Sequence, residues 1–256
     1  MTDIYREIVR ISAEGEEAAL ATIVSAIGST PRIEGAKMLV RADGSIVGSI
    51  GGGTTEAQIR ERAMEVIRKG KPQRLHISLA AKEGEEPGML CGGDIEVFIE
   101  PILPSPTLYI FGGGHVSLPL AKIGKLAGFK IVVVDDRAEF ANPQRFPEAE
   151  LTLAKEFDKA FSELKIDKTS YIVIVTRGHQ YDEQVLEWAL GTQAKYIGML
   201  GSETKNKAIF SHLLAKGISQ DQLDKVHAPI GLEIYAQTPE EIAISILAEI
   251  IKVRRS

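Results

Sequence analysis

The sequence predicts an α/β protein in which a doubly wound parallel sheet follows a smaller α+β domain. The strongest observation lies mid-chain, where a short apolar run, Leu108–Phe111, leads directly into Gly112, Gly113 and Gly114. A helical pattern follows, and a second apolar run, Ile131–Val134, ends in two aspartates. A strand, a glycine turn, a helix and a second strand closed by an acid are typical of the first unit of a Rossmann-like fold.

The part before this unit has a different pattern, which predicts the order α-β-β-β-α-β-β. Apolar residues recur at helical spacing over residues 2–13 and again over residues 54–69. A hairpin signal, Asp43-Gly44, separates two short strands. The strands are predicted at residues 20–27, 36–41, 45–50, 74–80 and 95–100. Because most of these strands follow one another without a helix between them, we predict an α+β layer.

A cluster of prolines marks the boundary between the two halves. Pro101, Pro104 and Pro106 fall within six residues, and proline lacks the N–H that a helix interior or a central strand needs. We therefore predict that the preceding strand ends here. The two domains are expected at residues 1–103 and residues 104–256.

The remaining chain alternates strands and helices, as expected for a doubly wound sheet. The strands are predicted at residues 151–154, 171–176, 195–200 and 226–230. The polar segment 177–182 is predicted to be a loop, followed by a helix that ends at Leu190. A capping box with proline in the first helical position, Thr238–Glu241, starts the closing helix.

Composition limits the classes of function. The chain has 256 residues and a net charge of −5, which argues against broad nucleic-acid binding because that requires a basic surface. No apolar run reaches the ~18–20 residues of a membrane-spanning helix, and the N-terminal residues show no signal-peptide core. The single cysteine, Cys91, excludes an intramolecular disulfide and fits a reducing cytosol. The sequence therefore predicts a cytoplasmic protein that binds neither membranes nor nucleic acids.

The turn at Gly112–Gly114 predicts a phosphate site. Glycines let the backbone approach a phosphate closely, and the start of the following helix offers free N–H groups. Asp135 lies about 20 residues further on, where a ribose hydroxyl is bound in such folds. Ser117 takes the third position of the glycine fingerprint and is small enough for close packing. His115 is either a ligand contact or only a cap or packing residue, and the sequence leaves both open.

The residues at the ends of several strands are expected to face one crevice. In a sheet of this topology, strands 1 and 4 are neighbours where the winding reverses, and their C-terminal loops line the ligand site. The alternative is that Arg177 and Asp182 form a surface pair beside an inert loop. The cofactor-binding residues predicted at these strand ends are Gly112, Gly113, Gly114, His115, Asp135, Arg177, His179, Gly201 and Ser202.

A second glycine cluster lies in the first half, where Gly51, Gly52 and Gly53 directly precede a predicted helix. Successive backbone N–H groups at a helix start form a nest that binds anions. The pattern predicts either such a nest or a plain tight turn. Two glycine-rich helix starts in one chain would suit a ligand with more than one phosphoryl group, or two ligands.

The single cysteine stands beside a third glycine cluster, in the run Cys91, Gly92 and Gly93. A lone cysteine is usually an inert packing residue, but flanking glycines are a poor way to bury a thiol. Besides inert packing, the open interpretations are a soft metal ligand, a sulfur carrier and a nucleophile with a lowered pKa. No cluster of histidine, cysteine and aspartate has the spacing of a zinc site.

Several motifs occur in a fixed order along the chain. They are GSTPR at residues 28–32, GSIGGG at 48–53, CGG at 91–93, FGGGH at 111–115, VTRGHQYD at 175–182, YIGMLGSETK at 196–205 and HAPIGLEI at 227–234. Together these motifs resemble the xanthine dehydrogenase accessory factor family, also called XdhC/CoxI. The likeness covers nearly the whole chain, with both domains in order.

The resemblance implies an accessory protein rather than an enzyme, with no catalytic residues. Members of that family bind the molybdenum cofactor, a molybdopterin sometimes extended by a nucleotide, and protect it while a cysteine desulfurase installs its terminal sulfur. They then insert the cofactor into a xanthine dehydrogenase-like apoenzyme, a molybdenum hydroxylase. They also self-associate, so we expect a nucleotide-binding chaperone that forms a homodimer or another homo-oligomer.

One departure from the family concerns cysteine. The family commonly has a cysteine after the first-domain glycines, where this chain has Thr54, so any thiol contact with sulfur or metal would rest on Cys91. The residues alone leave two other functions open. One is an NAD(P)-dependent oxidoreductase, in which Asp135 binds ribose and His115 or His179 moves protons. The other is an interaction protein whose nucleotide fold is vestigial.

Overall fold

The structure of the protein is a computed structural model that describes residues 2–79 and 92–255. The chain divides into two compact units, residues 1–104 and residues 105–256. Each unit is built around its own sheet. Within the described ranges, no helix combines the length and the apolar character that crossing a membrane requires.

The first unit combines two helices with an antiparallel sheet. Its elements are α1 (Thr2–Glu14), β1 (Ala18–Ile27), β2 (Lys37–Arg41), β3 (Ile46–Gly48), α2 (Gly53–Lys69), β4 (Gln73–Ser78) and β5 (Asp94–Ile102). The strand order is β3-β2-β1-β5-β4, and all neighbouring pairs are antiparallel. The predicted order α-β-β-β-α-β-β is confirmed for the described residues.

The two faces of this sheet are covered by different helices. Alternate residues of a strand point to opposite faces. Ala19, Ala21 and Ile23 of β1 belong to the core that α2 covers, whereas Ala18 and Leu20 belong to the core that α1 covers. Because both faces are buried, β1 has a nearly continuous apolar sequence instead of an alternating one.

The proline cluster ends the strand later than the sequence predicted. Pro101 lies inside β5, in register with Ala19 of β1. On its other side, β5 pairs with β4 only as far as Ile99, so the strand has a neighbour on one side alone at Pro101. A missing N–H is tolerated at such an edge position. The predicted strand end at residue 100 is therefore wrong by two residues.

The second unit is a parallel sheet with helices on both faces. Its elements are β6 (Thr107–Phe111), α3 (Ser117–Leu126), β7 (Lys130–Asp135), β8 (Leu151–Ala154), α4 (Phe157–Phe161), β9 (Ser170–Ile174), α5 (His179–Leu190), β10 (Tyr196–Met199), α6 (Glu203–Ala215), α7 (Gln220–Leu223) and α8 (Pro239–Arg255). The strand order is β10-β9-β6-β7-β8, with parallel neighbours throughout. The predicted Rossmann-like, doubly wound topology is confirmed, and its winding reverses between β6 and β9.

The helices of this unit divide between the two faces of the sheet. Helices α3 and α8 cover Leu108 and Ile110 of β6, while α4, α5, α6 and α7 cover Tyr109 and Phe111 from the opposite side. The strand is therefore apolar at every one of these positions. All strands are parallel, so the loops that follow them emerge at one edge, which we call the carboxyl edge.

Two predictions near this edge are wrong in detail. The segment 177–182 was predicted to be a loop, but α5 already begins at His179. The strand predicted at residues 226–230 is reduced to a single parallel bridge between His227 and Gly198 of β10. The short helix α7 was not predicted, because its four residues are too few to show helical periodicity.

Candidate functional site

The glycine turn between β6 and α3 lies at the carboxyl edge, and its glycines have different surroundings. A Cβ atom on Gly112 would lie 2.3 Å from the carbonyl oxygen of Val175, and one on Gly113 would lie 2.0 Å from the carbonyl oxygen of Phe140. Close backbone packing therefore requires glycine at both positions. Gly114 differs, since no described atom lies within 4 Å of the position that its Cβ would take. Of the three glycines in this turn, Gly114 is the one with open space at its Cβ position.

Ser117 and His115 have opposite environments at the start of α3. Ser117 is fully buried, and its hydroxyl donates a hydrogen bond to the carbonyl of Gly112, which fastens the first helical turn to the glycine turn. His115 is exposed, and the N-cap residue of α3 is Val116. The imidazole of His115 is thus neither a core packing group nor the N-cap, and it is accessible to a ligand.

The carboxylate of Asp135 is buried and holds the glycine turn in place. Its Oδ2 accepts a hydrogen bond from the backbone N–H of Gly113 at 2.8 Å, and Arg137 donates to both oxygens from Nε at 2.9 Å and from Nη2 at 3.0 Å. Burial raises the pKa of Asp135, but the hydrogen bonds from Arg137 and Gly113 outweigh burial and hold the pKa below its usual range. A ribose contact with Asp135 stays a prediction, and it would require Arg137 to release at least one of its hydrogen bonds to this carboxylate.

The loop after β7 folds over the glycine turn, and sequence reasoning did not assign it to the site. The guanidinium of Arg137 lies 3.6 Å from the centre of the Phe140 ring, and Nε of Arg145 donates to the carbonyl of Gly113 at 3.1 Å. The available signal was the run Asp135-Asp136-Arg137. An arginine that follows a buried acid so closely can neutralise it.

Arg177 links the ends of β9 and β7 at the carboxyl edge. Its Nη2 lies 2.6 Å from Oδ2 of Asp136 and donates to the hydroxyl of Tyr181 at 2.9 Å. The guanidinium also lies 4.9 Å from the centre of the Tyr181 ring. The alternative pairing of Arg177 with Asp182 is wrong, because Asp182 is buried and bonded elsewhere.

Asp182 joins the end of β9, α5 and α6. It is 1% exposed, and its Oδ1 accepts hydrogen bonds from the hydroxyl of Thr176 at 2.6 Å and from the backbone N–H of Thr176 at 3.2 Å. Its Oδ2 accepts from Nζ of Lys205 at 2.5 Å. Removing Lys205 would leave the buried charge of Asp182 without its partner. This ion pair therefore holds the end of β9, α5 and α6 together at the carboxyl edge.

A surface cavity of about 510 Å³ lies between α5 and α6. The structure thus brings two of the predicted residues, Arg177 and His179, to the wall of one cavity. The complete lining consists of Arg177, Gly178, His179, Glu183, Lys205, Ala208, Ile209 and His212. Gly201 and Ser202 shape the start of α6 instead. Ser202 is the N-cap and accepts from the backbone N–H of Lys205 at 3.3 Å, and a Cβ on Gly201 would lie 2.5 Å from Oδ1 of Asn206.

The glycine cluster of the first unit forms a nest that a carboxylate of the same chain fills. Gly51, Gly52 and Gly53 all have positive φ. Oε1 of Glu56 accepts hydrogen bonds from the backbone N–H groups of Ile50 and Gly52, each at 3.0 Å, and from the hydroxyl of Ser49. Burial raises the pKa of Glu56, but the bonds from Ser49, Gly52 and Ile50 outweigh it and lower the pKa. An external anion at Gly51–Gly53 stays a prediction and would compete with this carboxylate.

The third glycine cluster is described only in part. Cys91 lies outside the described residues, so its contact with sulfur or metal stays a prediction. A Cβ on Gly93 would lie 2.4 Å from the carbonyl oxygen of Ile27, which means that the turn after β1 packs directly on Gly93. Gly92 is exposed. Within the described ranges, no group of three or more His, Cys, Asp or Glu residues is arranged to hold a metal ion.

Two family models match the chain, one in each unit. A model described as the XdhC Rossmann domain matches residues 108–250. A model described as the XdhC and CoxI family matches residues 11–78. The second unit, which contains the carboxyl edge, is thus the part that resembles the Rossmann domain of XdhC proteins.

Three curated proteins are similar in sequence. The chain is 36% identical to uncharacterized protein YqeB of Escherichia coli over 99% of this chain and 47% of that protein. It is 31% identical to a probable xanthine dehydrogenase subunit of Bacillus subtilis over 62% of this chain and 46% of that protein. It is 24% identical to the molybdenum cofactor insertion chaperone PaoD of Escherichia coli, over 99% and 90% of the two chains. The chain spans about half the length of the first two relatives.

A solved structure shares the fold. It is a crystal structure described as a xanthine dehydrogenase from Bacillus halodurans, with a TM-score of 0.54 and 24% identity. The match covers 98% of this chain and 95% of that chain. At this level of identity the likeness concerns the fold alone.

Proposed function

Because the chain belongs to the XdhC and CoxI family, we propose that it is a chaperone of the molybdenum cofactor. In this proposal it binds the cofactor at the carboxyl edge of the parallel sheet, protects it while a cysteine desulfurase installs the terminal sulfur, and inserts it into the apoenzyme of a molybdenum hydroxylase. The similarity to PaoD, which extends over 99% of this chain, supports the role of an insertion chaperone. A homodimer in the cytoplasm is the form in which we expect it to act.

The observation on which this proposal depends is the open space at Gly114. The molybdenum cofactor has a phosphate, and a helix start that offers unpaired N–H groups and the positive end of the helix dipole is suited to bind one. The Cβ position of Gly114 is open, whereas those of Gly112 and Gly113 are closed by neighbouring backbone. We therefore assign the phosphate to the Gly114 side of the turn.

Charge around the turn supports the same assignment. Five charged side chains lie in this group of contacts, and they are Arg137, Arg145, Arg177, Asp135 and Asp136. Arg137 and Arg177 are paired with Asp135 and Asp136, whereas Arg145 donates to the carbonyl of Gly113, so the guanidinium of Arg145 is the one in this group suited to attract a phosphorylated ligand. The molybdenum cofactor also has a soft metal–dithiolene end, for which the accessible imidazole of His115 is a suitable neighbour.

Anaerobic cofactor retention tests the proposal. Purified full-length protein is mixed with molybdenum cofactor released from a molybdenum hydroxylase and passed over a sizing column. We expect molybdenum, measured by metal analysis, and pterin, measured by fluorescence after oxidation, to elute together with the protein. The eluted complex should then restore activity to a cofactor-free molybdenum hydroxylase. Elution of the protein with neither molybdenum nor pterin would show that the proposal is wrong.

A nicotinamide-dependent oxidoreductase is less well supported. Its strongest sequence argument was ribose binding by Asp135, but both oxygens of this carboxylate are engaged by Arg137 and Gly113. None of the similar proteins above is described as binding NAD or NADP. Titration with NADH and NADPH, followed by the fluorescence of Trp188, distinguishes the two functions. Micromolar affinity without cofactor retention would favour the oxidoreductase.

A further inference from the structure

Tyr235 combines a strained backbone with an exposed side chain. Its φ is 59°, in the left-handed region that residues other than glycine avoid, and within the described ranges it is the one such residue with positive φ. Its side chain is 86% exposed, so core packing does not offset the cost of this conformation. Backbone strain of this kind persists where the surrounding structure enforces it, and it is concentrated at ligand clamps and active sites.

The loop that contains Tyr235 is anchored at its first end. The loop, residues 231–238, connects the bridge segment at His227 to α8. The backbone N–H of Gly231 donates to Oε2 of Glu249 at 3.0 Å, and the hydroxyl of Ser245 donates to the carbonyl of Leu232. Both partners lie on α8, so this end of the loop is fixed to the helix that follows it.

The second end and the tip are also held in place. The backbone N–H groups of Gln237 and Thr238 donate to Oε2 of Glu241 at 2.7 and 3.0 Å. At the tip, the backbone N–H of Tyr235 donates to Oε1 of Glu233 at 2.8 Å. Fixed ends and a braced tip together hold the backbone of the loop, so the exposed ring of Tyr235 projects from a fixed point.

The loop precedes α8 on the face of the sheet where α3 begins, because Val116 before α3 and Ile242 in the first turn of α8 pack against the same core. Helices α3 and α8 share one core, and Nη1 of Arg254 donates to the carbonyl of Ala127 at 3.2 Å, so the two C-terminal ends lie together. Ser117 lies ten residues before Ala127, and Ile244 lies ten residues before Arg254, so Ser117 of α3 and Ile244 of α8 lie at about the same height. Pro239, the first residue of α8, precedes Ile244 by five residues, so α8 begins about 7.5 Å beyond the start of α3 at 1.5 Å per residue. The loop therefore stands on the same side of the edge as Gly114 and His115.

We infer that Tyr235 is a stacking residue that binds the flat heteroaromatic ring of the phosphorylated ligand held at the glycine turn. This inference rests on the proposed function, in which the ring is the pterin of the molybdenum cofactor or the base of its nucleotide extension. The phosphate would lie at Gly114, and the phenol of Tyr235 would cover the ring from the loop. Stacking of a base on an aromatic side chain is worth about 1–3 kcal/mol, or roughly 5- to 150-fold in affinity.

Substitutions of Tyr235 separate stacking from folding. Tyr235→Phe keeps the ring, whereas Tyr235→Gly and Tyr235→Asn remove it and accept the left-handed conformation more readily. We expect the first variant to bind the cofactor within about twofold of the wild type, and the other two to bind about tenfold more weakly. The melting temperatures of Tyr235→Gly and Tyr235→Asn should equal or exceed that of the wild type. Affinity is measured by anaerobic equilibrium ultrafiltration of full-length protein with released cofactor.

A matched control and two forms of the cofactor complete the experiment. Tyr5, on α1 of the first unit, is 51% exposed, and Tyr5→Ala should leave affinity unchanged. A loss in Tyr235→Gly with the molybdopterin form assigns the stacked ring to the pterin, whereas a loss only with the dinucleotide form assigns it to the base. If the wild type binds and Tyr235→Gly binds equally well in both forms, the inference is wrong while the proposed function stands. If the wild type binds neither form, both are wrong.

Discussion

Gly113 and Gly114 are neighbours in sequence, but their substitution should have opposite consequences. A valine at Gly114 would enter open space, so the free energy of unfolding should change by less than about 0.5 kcal/mol. Cofactor binding should fall at least about tenfold, because the side chain would occupy the space in front of the helix N–H groups. Urea unfolding and anaerobic ultrafiltration of Gly114→Val measure the two effects.

Gly113→Ala is the contrasting variant. Its Cβ would lie 2.0 Å from the carbonyl oxygen of Phe140, so the loop over the glycine turn must shift, and we expect the free energy of unfolding to fall by about 1–3 kcal/mol. Gly191, on the surface at the end of α5, provides a control in Gly191→Ala. Wild-type affinity in Gly114→Val would show that the phosphate does not bind at this turn.

The contribution of Glu56 to the free energy of unfolding should depend on pH. Its carboxylate accepts hydrogen bonds from Ser49, Gly52 and Ile50, and its pKa is lowered in the folded protein. Its stabilising contribution is therefore present above the ordinary pKa of 4.5 and is lost as the pH falls through the lower, folded-state pKa. At pH 7, Glu56→Gln should lower the free energy of unfolding by about 1–3 kcal/mol.

The pH series for Glu56 distinguishes this account from a simple loss of contacts. Urea unfolding of wild type and Glu56→Gln at pH 7, 5 and 3.5 should show a difference that shrinks with decreasing pH. Glu61 lies exposed on the same helix, and Glu61→Gln should change the free energy of unfolding by less than about 0.5 kcal/mol at each pH. A constant difference for Glu56→Gln would contradict the predicted linkage.

At the scale of elements, the partly buried carboxylate of Glu249 connects α8 to β10 and the bridge segment. Oε2 of Glu249 accepts from the hydroxyl of Tyr196 at 2.5 Å and from the backbone N–H of Gly231 at 3.0 Å. Nδ1 of His227 lies 3.2 Å from the other oxygen. Burial raises the pKa of Glu249, but the hydrogen bonds from His227, Tyr196 and Gly231 outweigh it and lower the pKa. This carboxylate therefore holds the base of the Tyr235 loop.

A double-mutant cycle tests this connection. Glu249→Leu would leave the buried hydroxyl of Tyr196 without its acceptor, so the free energy of unfolding should fall by about 2–3 kcal/mol. Tyr196→Phe removes the hydroxyl that Glu249→Leu would leave without an acceptor. The double variant should therefore be less destabilised than the sum of the single variants by at least about 0.5 kcal/mol. Additive effects in urea unfolding would argue against direct coupling.

At the scale of the whole molecule, the second unit should fold by itself. Among the residues that the structure describes, the cores on both faces of its sheet consist of residues of this unit, and a chain of 152 residues (105–256) is long enough to bury a sufficient core. We expect a fragment of residues 105–256 to show native-like circular dichroism and a cooperative thermal transition. A fragment that melts without a cooperative transition would contradict this.

The sequence was sufficient for most of the fold because the main signals are local and repeated. Continuous apolar runs such as Leu108–Phe111 predict strands buried on both faces, and the confirmed doubly wound topology follows from one glycine turn and the alternation of elements. The errors occur where the local signal is weak. Pro101 is tolerated because its neighbouring strand has already ended, and α7 is too short to show periodicity.

The sequence by itself determined the fold class, the family and the edge of the sheet at which polar residues gather, since these depend on patterns along the chain. Tertiary structure alone decided the partners of the charged groups. Arg137 neutralises Asp135, Glu56 fills the Gly51–Gly53 nest, and Tyr235 is exposed in a left-handed conformation. These features follow from distances between folded segments and from the space around each side chain, and no pattern of residue types along the chain specifies either.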